Sequence, residues 1–167
     1  MRITPSEEYG LRCILKLAES YPHELASVDQ ISREEGLSIA YTEKLLLQLK
    51  KAGLVVSSRG AAGGYQLSRN PSEIPLAAIL KAFDGLITTE LCDRFTGDQE
   101  ECVHLKSCSI RPIFVVLAHH LYTILNQITL LDLMKEGEKR IRQEMYHRFP
   151  VDRECEVCTD VAAEFKV

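Results

Sequence analysis

Apolar residues recur at helical spacing over Glu8–Glu19, where Leu11, Ile14, Leu15 and Ala18 form one stripe, so the spacing predicts a first helix. Cys13 lies beside that stripe and is expected to pack as a small apolar side chain. Pro22 and the polar run to Ala26 end the helix. Ser27 is placed to cap a short second helix, with Gln30 completing a capping box and Val28 and Ile31 facing inward. Gly36 offers the left-handed residue that stops it. Ser38 caps a third helix over Ile39–Ala52, with Ile39, Leu45, Leu46 and Leu49 on its buried side and Gly53 as its stop. Two short helices joined by a tight glycine-containing turn make a helix-turn-helix.

The period then changes. Leu54–Ser58 is short and β-branched, the run from Arg59 to Gly64 cannot hold a helix, and Tyr65–Ser68 reads as a returning strand. A hairpin with a basic tip directly after a helix-turn-helix predicts a winged helix. Ser72 opens another helix with Pro75 in its first turn, burying Leu76, Ile79, Leu80 and Phe83 and ending at Gly85. From Pro112 the chain is apolar on more than one face: Ile113, Phe114, Val116, Leu117, Leu121, Ile124, Leu125 and Ile128, joined by Val115, Ala118 and Tyr122. Such a helix needs a partner, and a second copy of the chain is the simplest one. Thr129 can cap a further helix, and residues 135–149 are charged with a helical pattern. The fold expected is mainly α with a small β-hairpin wing: a winged helix-turn-helix unit plus a long dimerisation helix. The divisions fall at residues 1–85 for the DNA-binding unit, 86–109 for a cysteine-rich loop, 110–134 for the dimerisation helix and 135–167 for a charged C-terminal helix and tail.

Hydrophobic content of 46% in 167 residues supports a real core. No apolar signal region opens the chain, and the longest apolar run, Ile113–Ala118, is far too short to span a bilayer. A cytoplasmic protein without membrane contact is expected, where cysteines serve as ligands or sensors more often than as disulfides. The net charge of −4 argues against a nucleic-acid partner until it is divided: residues 1–85 carry ten basic and ten acidic groups, and the deficit lies beyond them. Within residues 43–60, Lys44, Lys50, Lys51 and Arg59 face only Glu43, and DNA binding needs a local basic face rather than a basic protein.

In a winged helix the third helix enters the major groove and the wing touches the backbone or minor groove. Candidate DNA contacts are therefore Ser38, Ala40, Tyr41, Glu43 and Lys44 at the start of that helix, with Arg59 and Gly60 at the wing. Glu43 can accept from a cytosine amino group; Ser38, Tyr41 and Lys44 can reach phosphates or bases. Arg59 suits a narrow, negative minor groove. The chemistry-bearing stretch is Cys92–Cys108, where Cys92, Cys102 and Cys108 stand at C-x9-C-x5-C spacing in a polar, acidic run. Thiolates gathered without an apolar context indicate a metal or cluster site, or a redox switch. Zinc held by the three cysteines and His104 is one such site. Cys155 and Cys158 form a lone C-x-x-C in an acidic tail, which is half a metal site. No phosphate loop, nucleophile elbow or paired acid–base set is present, so an enzyme is not expected; His119 and His120 lie on the apolar helix.

Several stretches resemble the winged-helix iron–sulfur regulators related to IscR and the nitric-oxide sensor NsrR. They are MRIT at the start, YGLR at Tyr9–Arg12, YTEKLLLQLKKAGLV at Tyr41–Val55, SSRGAAGGYQLSR at Ser57–Arg69, AFDG at Ala82–Gly85 and ITLLDL at Ile128–Leu133. The resemblance covers roughly the first 134 residues. It implies a homodimeric transcription factor on palindromic promoter DNA, with Glu43 in base contact, Arg59 in the minor groove, and an iron–sulfur cluster held by Cys92, Cys102 and Cys108. Two-iron and four-iron clusters both remain open. The histidine that IscR-like members place after the last cysteine is absent, since Ser109, Ile110, Arg111 and Pro112 follow. NsrR-like members use a carboxylate near the N-terminus, and Glu8 stands at that position; His104 is the local competitor. The first cysteine gap, nine residues, is longer than the family's usual one. The implied function is a regulator that senses redox state, nitric oxide or iron–sulfur status. A zinc-binding or cluster-free thiol-switch regulator is the alternative, as is an iron–sulfur carrier or interaction module that does not bind DNA.

Overall fold

Thr4 starts the first helix. Its hydroxyl accepts from the Glu7 backbone N–H while Glu7 Oε2 accepts from the Thr4 N–H, and Pro5 occupies the first helical position. This capping box sets α1 at Pro5–Glu19, one turn earlier than the apolar stripe alone indicates. The computed structural model describes residues 3–60, 63–83, 104 and 107–134.

Ser27 caps α2, Val28–Glu35, by accepting from Gln30 N–H. The expected box is only half formed, because the Gln30 amide donates to Glu34 Oε1 instead of reaching back. Gly36 closes α2 at φ 66°, a left-handed value that suits glycine. Ser38 then caps α3, Ile39–Lys51, whose Thr42, Leu45, Leu46 and Leu49 are buried. Ile39 is 51% exposed rather than buried. It lies on the Leu46 line but is the first residue of α3, directly after the Ser38 cap.

β1 (Val55–Ser58) pairs antiparallel with β2 (Gly64–Leu67), Val55 opposite Leu67 and Ser58 opposite Gly64. A third short segment, not foreseen from sequence, pairs with β2: Ala26 and Tyr65 exchange both backbone hydrogen bonds at 2.9 Å. The chain entering α2 therefore braces the base of the wing. Lys50 Nζ donates to Ser57 Oγ at 2.6 Å and joins the end of α3 to β1.

The helix expected from Ser72 is interrupted. Pro71–Glu73 forms a 3-10 turn capped by Asn70, Ile74 is extended at φ −105° and ψ 99°, and α4 runs from Leu76 to Lys81. Pro75 has no N–H to give and holds the residue before it out of the helical region, which splits the helix. α5, Arg111–Gln127, is followed by α6, Leu130–Leu133, whose capping box pairs Thr129 with Asp132. Leu76 N–H donates to Ile128 O and Leu130 N–H to Ile74 O, both at 2.8 Å, so the foot of α5 is stitched to the start of α4.

The core gathers Cys13, Ile14 and Leu17 of α1, Ile31 of α2, Leu45, Leu46 and Leu49 of α3, Leu54, Leu67, Ile74, Ile79, Phe83 and Leu130. α5 contributes little to it: Ala118 is its buried residue, while Ile113, Phe114, Val115, Val116, Leu117 and Tyr122 are exposed. Among the described residues, no helix is long and apolar enough to cross a membrane. The helix expected over 135–149 lies outside the described residues.

Candidate nucleic-acid interface and cysteine site

Ser38, Ala40, Glu43 and Lys44 are all exposed on the first two turns of α3, and Tyr41 is half-buried. The Ser38 hydroxyl oxygen accepts from Tyr41 N–H at 3.3 Å, and the Ser38 carbonyl accepts from Thr42 Oγ1 at 3.1 Å. The serine that could touch a phosphate thus also fixes the start of the helix, where free backbone N–H groups favour anions. Arg59 and Gly60 are exposed past the end of β1, with Gly60 at φ 118°, a conformation open to glycine and costly for other residues. Lys50, held by Ser57, is committed to the wing.

Leu47 is an addition that the sequence reading did not assign. It is 48% exposed and follows Glu43 by four residues, on the outward face of α3. The available signal was a leucine out of phase with the buried stripe.

Glu8 is exposed and forms an ion pair with Arg12 at 3.0 Å. At about half exposure for both partners, an i,i+4 pair of this kind contributes about 0.3–0.5 kcal/mol. Glu8 can therefore be drawn away at small cost. The Arg12 guanidinium lies over the Tyr9 ring, 5.9 Å from its centroid, and Tyr9 meets Tyr41 edge-to-face at 6.3 Å. These contacts run without a break from the candidate ligand on α1 to the recognition helix. Glu7, the neighbouring carboxylate, is buried; its Oε2 is taken by Thr4, and its Oε1 has no hydrogen-bond partner among the described residues.

Cys108 is half-buried just before α5 and has no disulfide partner among the described residues. Its Sγ accepts from Arg111 N–H at 3.3 Å. Ile110, at the N-cap position, gives no side-chain cap, so the sulfur stands in for one. A backbone N–H on sulfur is also one of the interactions that tune a cluster-ligating thiolate. His104 is exposed; Cys92 and Cys102, like Cys155 and Cys158, lie outside the described residues. Among the described residues, no three metal-ligating side chains are brought together. The donor types nonetheless fit an iron–sulfur cluster: thiolates with one hard carboxylate. Cys13 has a different character. It is fully buried, and burial, with the Glu35 charge adding, pushes its thiol up to about 12. It belongs to the core rather than to a reactive site.

The sequence profile of the Rrf2 family, described as an iron-dependent transcriptional regulator, matches residues 3–136. The chain belongs to the Rrf2 family. Its members are regulators of transcription, not enzymes. This Rrf2-family chain is 33% identical over 137 residues to Protein rrf2 of Nitratidesulfovibrio vulgaris, covering 82% of this chain and 89% of that protein. Among solved structures it is similar to T. potens IscR, with a TM-score of 0.63 and 28% identity over 84% of this chain and 90% of that one. It is similar to nearly the same degree to CymR, the global cysteine regulator of B. subtilis, with a TM-score of 0.62 and 28% identity over 80% and 95%. These relatives make the described architecture a winged helix of the Rrf2 type.

Proposed function

We propose that this Rrf2 regulator acts as a homodimer on palindromic promoter DNA and that an iron–sulfur cluster on Cys92, Cys102, Cys108 and Glu8 sets its affinity. The observation that carries the reading is the position of Cys108. It lies at the head of α5, and the foot of the same helix is hydrogen-bonded to the segment leading into α4. When bound, the cluster supplies a redox- and nitric-oxide-sensitive bond set, made labile by its carboxylate ligand. Glu8 would leave Arg12 to join that set. Arg12, which lies over the Tyr9 ring, would then lose its carboxylate partner, and Tyr9 is the residue that meets Tyr41 on α3. Two α3 helices in a dimer must match a fixed half-site spacing, so a small shift in each alters affinity.

The exposed apolar residues of α5 support the homodimer, because a continuous patch of that kind needs cover. A two-fold dimer in turn calls for a two-fold DNA site. Anaerobic purification with absorption and Mössbauer spectra fixes metal identity and nuclearity, and electrophoretic mobility shifts across a salt series read DNA binding. The Glu8 assignment fails if Glu8→Ala keeps both the anaerobic spectrum and its DNA response.

The similarity to CymR favours a second reading, a switch that works through the cysteine thiols without a cluster. Protein lacking iron and zinc, whose DNA binding still responds reversibly to oxidant and dithiothreitol, establishes that reading. Stoichiometric zinc without iron establishes the zinc form, and its loss on His104→Ala would assign His104 as the fourth ligand.

A further inference from the structure

The outward face of α3 carries Ala40, Glu43, Lys44 and Leu47, at positions i, i+3, i+4 and i+7 of one helical face. The buried residues Thr42, Leu45, Leu46 and Leu49 point the other way. An exposed leucine is ordinary on a protein surface. Leu47 differs in its place: it is 48% exposed, one turn beyond Glu43, on the face that a winged helix presents to the major groove. Base edges in that groove offer hydrogen-bonding groups and a single apolar feature, the thymine C5-methyl group. A side chain with no polar atom can select only that feature.

We infer that Leu47 is a specificity-determining residue that packs against a thymine methyl group in the major groove, one or two base pairs from the pair contacted by Glu43. The spacing follows from the helix: four residues rise about 6 Å, against about 3.4 Å per base pair. Glu43 can accept from a cytosine amino group, so the two residues together would select a cytosine with a thymine close by on either strand. The inference rests on α3 being the recognition helix.

The test uses the full-length protein and duplexes that it selects from a random pool. Each thymine in a selected duplex is replaced singly by uracil, which lacks only the methyl group, and Kd is read by fluorescence anisotropy at fixed salt. One thymine per half-site should weaken binding about fourfold on replacement, the worth of one buried methyl group. That thymine should lie within two base pairs of the pair at which Glu43→Ala relaxes the preference. Leu47→Ala and Leu47→Gln should bind the thymine and uracil duplexes equally, with the circular dichroism spectrum and Tm of the parent. The inference is overturned if no thymine near the Glu43-dependent pair is sensitive to uracil, or if either Leu47 variant keeps the discrimination. Failure of the underlying reading looks different: Glu43→Ala then changes no base preference at all.

Discussion

Replacing Gly10 with alanine should destabilise the protein, against the ordinary rule for helices. Gly10 lies in the middle of α1, where alanine is favoured by about 1 kcal/mol. Here a Cβ would fall on the Cζ, Cε1 and Cε2 atoms of Phe83, a ring only 5% exposed and packed in the core. The ring has to leave its site, at a cost of about 2–4 kcal/mol in strain and lost packing. After the propensity gain, a net loss of about 1–3 kcal/mol remains. Urea unfolding at fixed protein concentration measures it. The decisive comparison is in a Phe83→Ala background. There the obstacle is gone and Gly10→Ala should stabilise by up to about 1 kcal/mol. A stabilising Gly10→Ala in the parent protein, or the same sign in both backgrounds, refutes the packing account.

Thr4→Ala removes the hydroxyl that caps α1 and donates to Glu7 Oε2 at 2.6 Å; a loss of about 1–2 kcal/mol is expected in denaturation, largely restored by serine. Phe114→Lys places a charge in the exposed apolar face of α5 and should halve the mass seen by light scattering while the circular dichroism spectrum is kept. The Cys13 thiol ordinarily titrates near 9.0 and is raised to about 12 when folded. Between those values the folded state keeps a proton that the unfolded state loses. Stability should therefore fall with rising pH in that window, by up to about 1.4 kcal/mol per pH unit, and be unaffected below it. Cys13→Ala should flatten that part of the pH–stability curve.

The helix-turn-helix and wing were legible because their signals are local: Ser27, Ser38, Gly36 and Gly53 mark the helix ends, and the period changes at Leu54. The misses come from longer-range or competing interactions. Glu34, one turn after Gln30, accepts from the Gln30 side-chain amide and competes with the capping box at Ser27. The bridge between Ala26 and Tyr65 joins residues far apart in the chain. Ile39 obeys the stripe yet is 51% exposed at the first position of α3. For the candidate site, residue types and spacing indicate ligands and DNA contacts. The Tyr9–Tyr41 contact and the outward Leu47 are properties of packing that spacing alone does not fix.

The attachment of the cysteine loop bears on how ligation could reach DNA. One end leaves from Phe83, which lies against Gly10 of α1. The other returns at Cys108 and continues through α5 to Ile128 and Leu130, which hydrogen-bond to Leu76 and Ile74 beside α4. Both attachments therefore converge on α4 and its contact with α1. In the proposed mechanism a cluster held by Cys92, Cys102, Cys108 and Glu8 would tie the head of α5 to α1. α1 also meets α3 through Tyr9 and Tyr41. A regulator without Glu8 ligation would still feel the first two attachments, so Glu8→Ala should weaken the DNA response more than abolish it. Joined with Tyr9→Ala, the loss should exceed neither single loss by much, since both residues serve one path. Fully additive losses would separate Tyr9 from that path and leave the α4 contacts as the route to the recognition helix.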